Sequence, residues 1–113
     1  MPPVIHIVLV TWRRDVPTSA LDALTEHVDA LASAVPGILS VAHGPSVSPE
    51  HLEAGYEWAL VITFVDSTAR DAYLPHPAHA PVAALLTEWH DGLVVFDLAA
   101  PDTPIEEASR AHP

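Results

Sequence analysis

Eight histidines are the groups of this 113-residue chain best suited to moving protons, and two of them share a short element with a tyrosine, Tyr73-Leu-Pro-His76-Pro-Ala-His79. An imidazole ordinarily titrates near neutral pH and serves as a base, whereas a phenol keeps its proton and donates a hydrogen bond. Together the two types can take a proton from carbon and hold the oxygen on which charge then develops. Two prolines stiffen the turn that carries them. His76, in the middle of that turn, is expected to satisfy local backbone groups.

Two further histidines stand where an ionisable group is unusual. His6 lies in the apolar run V-I-H-I-V-L-V-T-W, and alternation places it with Val8, Val10 and Trp12, opposite Ile7 and Leu9. If that face meets helices, His6 sits at a pocket and binds substrate or orients His79; otherwise it is a buried ring bonded to backbone. His90 follows the last helical stretch. It either enters the pocket or is held by the negative end of that helix. His76 and His79 with His6 or His90 could supply three nitrogens to a metal, but Pro77 works against a shared helical face, and the expectation is no metal. His27, His43, His51 and His112 read as solvated.

The elements that must position these groups follow from periodicity. Val4 to Trp12 is a strand apolar on both faces, so it has to be covered twice. Leu21, Leu24, Val28, Leu31 and Val35 form one helical stripe, started by a Thr18 or Ser19 cap and stopped at Pro36-Gly37. Ile38 to Val47 and Glu57 to Val65 are strands, joined by a polar loop. A short helix begins at Asp66-Ser67, a turn occupies 74 to 81, and helix resumes from Val82 to Trp89. Asp91-Gly92 ends it, and Gly92 to Leu98 is the last strand.

The order β-α-β-β-α-β predicts an α+β, ferredoxin-like protomer with an antiparallel sheet and its helices on one face. Thr11, Ala59, Val61, Thr63, Val94 and Phe96 then belong to an uncovered face, which a second copy would bury. One domain is expected over residues 1–99, followed by a flexible acidic tail at 100–113.

Composition removes several function classes. Fifteen acidic residues against four arginines and no lysine give a net charge of −11. Such a chain has no basic stripe for nucleic acid and no attraction to an anionic membrane surface. The absence of cysteine excludes disulfides, thiolate metal sites and a cysteine nucleophile. The N-terminal apolar run has its arginines after it, unlike a secretory signal, and is too short to span a bilayer; a cytoplasmic location is expected. There is no phosphate-binding glycine loop and no Gly-x-Ser-x-Gly elbow. Trp12, Trp58 and Trp89 read as packing anchors.

Taken in order, the His6 strand, Val35-Pro-Gly-Ile-Leu-Ser-Val41, Gly55-Tyr56-Glu-Trp-Ala-Leu-Val61, the Tyr73–His79 element and Val94-Val-Phe-Asp97 resemble the stress-responsive dimeric α+β barrel (Dabb) family. The resemblance spans roughly residues 4–98. It implies a homodimer through the sheet face, with a pocket between sheet and helices in each protomer. A plant member closes linear polyketide chains by intramolecular aldol condensation, and the tyrosine and last histidine of its matching element act on the substrate. Carried over, they are Tyr73 as donor and His79 as base, with no cofactor. The pocket so implied would be lined by His6, Val8, Val10, Leu24, Val28, Leu60, Leu74, Val82 and His90, and would take a small hydrophobic or polyketide-like ligand. The helix stripe is aliphatic here where the plant cyclase has aromatic groups, which implies a different substrate. Two other readings belong to the same fold neighbourhood: a non-catalytic stress or accessory protein, and a cofactor-free monooxygenase.

Overall fold

A computed structural model describes residues 2–101. Strand β1 (Val4–Trp12) leads to helix α1 (Thr18–Asp29), a single-turn helix α2 (Leu31–Ala34) and strand β2 (Ile38–Pro45). Strand β3 (Trp58–Phe64), helix α3 (Ser67–Tyr73), helix α4 (His79–Trp89) and strand β4 (His90–Ala99) complete it. The four strands form one antiparallel sheet in the order β2-β3-β1-β4. This is the ferredoxin-like α+β arrangement. The proposed tail falls almost wholly at 102–113, outside the described residues.

Alternation along β1 decides the layering. Val4, His6, Val8 and Val10 are buried toward the helices, as are Leu60, Ile62 and Phe64 of β3. Leu24, Val28, Leu31, Val35, Tyr73, Val82 and Leu86 close the core from the helical side. The opposite face carries Ile5, Ile7 and Leu9, paired with Thr63, Val61 and Ala59 on one side and with Leu98, Phe96 and Val94 on the other. Among the described residues nothing covers it, and Phe96 is 60% exposed.

Several boundaries differ from expectation. Helix α1 begins at Thr18 with Pro17 extended at its cap and no capping side chain, so neither Thr18 nor Ser19 takes that role. The stripe from Leu21 to Val35 is not one helix: it breaks at Ala30, and Val35 turns extended (φ −112, ψ 118) because Pro36 follows it. Helix α4 starts three residues early, at His79 rather than Val82. Pro81 sits in its first turn, where a missing N–H costs nothing. The helix also passes into β4 directly at His90, and Gly92 lies within the strand. Asp66 caps α3, accepting from Ala69 N–H at 2.9 Å.

Gly37 lets the start of β2 approach α3 closely. Its φ of +85° favours glycine, and a Cβ there would stand 2.5 Å from Ala69 Cβ at the start of α3. Gly37→Ala is therefore expected to cost about 2–4 kcal/mol, from strained backbone plus overpacking. Thermal or urea unfolding checks this; an unchanged midpoint would show that α3 can move aside.

Candidate active site

Strand β1, the α3–α4 turn and the edge strand β4 bound a cavity of about 210 Å³ on the helix-covered side of the sheet. Its walls are His6, Val8, Leu74, His79, Ala83, Leu86, Thr87, Leu93 and Val95. It exists because no helix among the described residues covers β4 fully: Leu93 and Val95 face the helical side yet are 40% and 56% exposed.

Each chemical group is oriented by a different element. His79 is the first residue of α4, and its Nδ1 lies 2.9 Å from the carbonyl oxygen of Leu74, at the end of α3. A carbonyl only accepts, so Nδ1 carries the proton and Nε2 keeps its lone pair. Tyr73 ends α3 and is 1% exposed. Its ring packs 4.5 Å from that of His79, 5.3 Å from Phe64 and 6.1 Å from His6, centroid to centroid. His6, 6% exposed, has its Nδ1 2.6 Å from Asp97 Oδ1, directly across the β1–β4 ladder. Arg70 of α3 binds the other oxygen of Asp97.

Among the described residues no buried side-chain nitrogen or oxygen lacks a hydrogen-bond partner. Tyr73 Oη and the Nε2 atoms of His6 and His79 form no hydrogen bond to another described residue, and both histidines line the cavity.

Burial pushes the Tyr73 phenol up to about 12 from an ordinary 10.0. At neutral pH it is a donor and not a phenolate. Because the unfolded phenol ionises first, this term stabilises the fold fully below pH 10 and is lost as pH rises toward 12. Absorbance of ionised phenol should show one tyrosine titrating near 12, with stability falling between pH 10 and 12. A complete two-tyrosine titration near pH 10 in folded protein would contradict the burial argument.

Of the residues expected at the pocket, His6, Val8, Leu74 and His79 line the cavity. Tyr73 is packed behind them, against both rings. Val10, Leu24, Val28, Leu60 and Val82 do not line it; all are at most 2% exposed and fill the core. His90 is also absent from the walls. Its Nδ1 lies 2.6 Å from Leu86 O, where it closes the last turn of α4. His76 accepts Ala78 N–H at 3.0 Å. His43 departs from the solvated reading: it pairs with Asp29 at 2.8 Å, and its ring lies tilted 6.0 Å from that of Trp58. Asp97 and Arg70 were not singled out as site residues. The legible signal for Asp97 was a lone carboxylate in an apolar strand, in the alternation that faces the helices.

Other hollows lie elsewhere. One of about 220 Å³ opens on the uncovered sheet face near Tyr56 and Trp58, and one of about 290 Å³ lies beside Trp12, Trp58 and Glu57. Neither is lined by a histidine, so neither offers the same acid–base chemistry. No helix among the described residues is long and apolar enough to cross a membrane.

The chain is similar to several known proteins. The family model described as stress responsive A/B barrel domain matches residues 4–100. Olivetolic acid cyclase of Cannabis sativa is 21% identical over 92 residues, covering 81% of this chain and 91% of the plant protein. Among solved structures, a dimeric ferredoxin-like protein of unknown function from Jannaschia sp. CCS1 is 30% identical, with a TM-score of 0.75 over 87% of this chain and 99% of its own. The hydroxynitrile lyase of Passiflora edulis shares the fold, with a TM-score of 0.80 at 18% identity over 90% of this chain and 96% of its own.

Proposed function

The chain belongs to the stress-responsive A/B barrel domain family, and on that premise we propose that it is a cofactor-independent cyclase of small polyketide-like molecules, working as a homodimer. The reading is carried by one observation: the His79 imidazole is fixed through Nδ1 with Nε2 free, beside a buried phenol 4.5 Å away ring to ring. A relative named for ring closure, olivetolic acid cyclase, supports the same class of chemistry.

In this reading His79 Nε2 takes a proton from a methylene between two carbonyls. The carbanion attacks a distant carbonyl carbon of the same chain, and the new C–C bond closes a ring. Tyr73 Oη–H donates to the oxygen that gains charge; its raised pKa keeps that proton in place at neutral pH. Val8, Leu74, Leu86, Leu93 and Val95 give the folded chain an apolar wall, which favours compact substrate conformers that already bring the reacting carbons together. A cavity of about 210 Å³ suits a small chain rather than a multi-ring product.

Pairing of the uncovered sheet faces supplies the dimer, since it removes the apolar patch of Ile7, Leu9, Val61, Val94 and Phe96 from water at about 25 cal/mol per Å². The solved relative from Jannaschia is dimeric.

The test is incubation with a short poly-β-keto thioester, reading the ratio of ring isomers. The protein should enrich one ring isomer over the buffer reaction. An unchanged ratio across chain lengths would remove the cyclase reading and leave a ligand-binding or accessory protein.

A further inference from the structure

Ring closure by one base and one phenol makes no use of His6, Asp97 or Arg70. Yet their arrangement is specific. An ionisable ring in the interior of a strand is costly unless its polar atoms are matched. Here His6 and Asp97 face each other in register, at 2.6 Å from Nδ1 to Oδ1. The carboxylate only accepts, so Nδ1 holds the proton and Nε2 is left for the cavity that His6 lines. Asp97 cannot swing away, because Arg70 Nη1 binds its second oxygen. Arg70 is itself steadied by Asp71, 2.8 Å from Nε. A carboxylate that fixes the tautomer of an imidazole and balances the charge it acquires is the orienting device of general acid–base sites.

We propose that His6 is a second proton-transfer group of this site, with Asp97 as its positioning residue and Arg70 holding Asp97. The proposal rests on the ring-closing reading and gives that reaction its proton donor. Nε2 of His79 takes the methylene proton, and the carbanion pair forms the C–C bond. The π pair of the acceptor carbonyl moves to oxygen, which takes a proton from Nε2 of His6. That nitrogen, unprotonated at rest, first takes it up from a hydronium ion in the cavity, with Asp97 balancing the charge. The product is a β-hydroxyketone isomeric with the substrate. His6 returns to its neutral tautomer and His79 gives its extra proton back to water, so the proton count closes. Tyr73 bonds the oxygen throughout without losing its proton.

Asp97→Asn gives a test that does not need turnover. Arg70 only donates, so it will claim the amide oxygen and turn the NH₂ toward His6. Nδ1 must then accept, and the proton of the neutral ring moves to Nε2. Long-range ¹H–¹⁵N correlation on histidine-labelled protein, assigned against His6→Gln, reads this directly. Wild type should show Nδ1 protonated and Asp97→Asn the inverted tautomer; the same tautomer in both overturns the relay. With the poly-β-keto thioester, Asp97→Asn and His6→Gln should each lower kcat about 10²-fold with KM little changed. Arg70→Ala is an independent reading, expected to lower kcat less than His6→Gln because Asp97 remains. Full turnover in all three variants beside loss in His79→Ala overturns the role of His6 and leaves ring closure by His79 intact. Full turnover in His79→Ala, or no ring excess from wild type, instead removes the ring-closing reading and the His6 step with it.

Discussion

His79→Ala should abolish the ring-isomer excess produced from a poly-β-keto thioester, a fall of about 10²–10⁴ in rate. The size follows from what alanine cannot replace. The His79 ring is locked by the Leu74 carbonyl, so its free nitrogen is presented in one orientation, and water cannot stand in as an equally placed base. Tyr73→Phe should cost less, about 10²-fold, because the oxygen keeps other donors while losing one. Phenylalanine fills the same volume beside Phe64, so this variant should fold as wild type does and isolate the hydroxyl. Circular dichroism and chromatographic size, measured alongside product ratios, separate lost chemistry from lost structure. Retained product ratios in a folded His79→Ala protein would remove the base assignment outright.

Val61→Asp should convert the proposed dimer to a monomer. Val61 sits in the middle of the uncovered face, paired with Ile7 on one side and Ala42 on the other. In a two-fold interface one substitution places two carboxylates in an apolar layer, and each loses its hydration without a partner cation. Arginine and lysine are too scarce to rescue it: the chain has four arginines and no lysine. The protomer core lies on the other side of the sheet and is untouched, so the secondary structure should persist while light scattering reports half the mass. A dimer that survives Val61→Asp would mean that the copies meet elsewhere. The cavity lies on the opposite side of the sheet, and whether its activity survives in the monomer will tell whether pairing is needed only to cover apolar surface.

Residue order alone carried the architecture because strand and helix periods are local. Strict alternation in Val4–Trp12 placed His6 with Val8 and Val10, and the sheet places them so. The Leu24–Val28 spacing likewise gave the buried helix stripe. Spacing also put Tyr73 and His79 six residues apart across a proline turn, and the rings do meet. Which apolar residues fill a core and which line a hollow was not readable, since Val10, Leu24, Leu60 and Val82 look like Val8 and Leu86 in a one-dimensional pattern. Packing density settles that, and it depends on how far the helices extend over β4. The same limit hid Asp97. Its partner His6 is 91 residues away, and only the β1–β4 register brings carboxylate and imidazole face to face. Local chemistry fixed what each side chain can do; long-range pairing of strands, which no short window of sequence contains, decided which of them could act together.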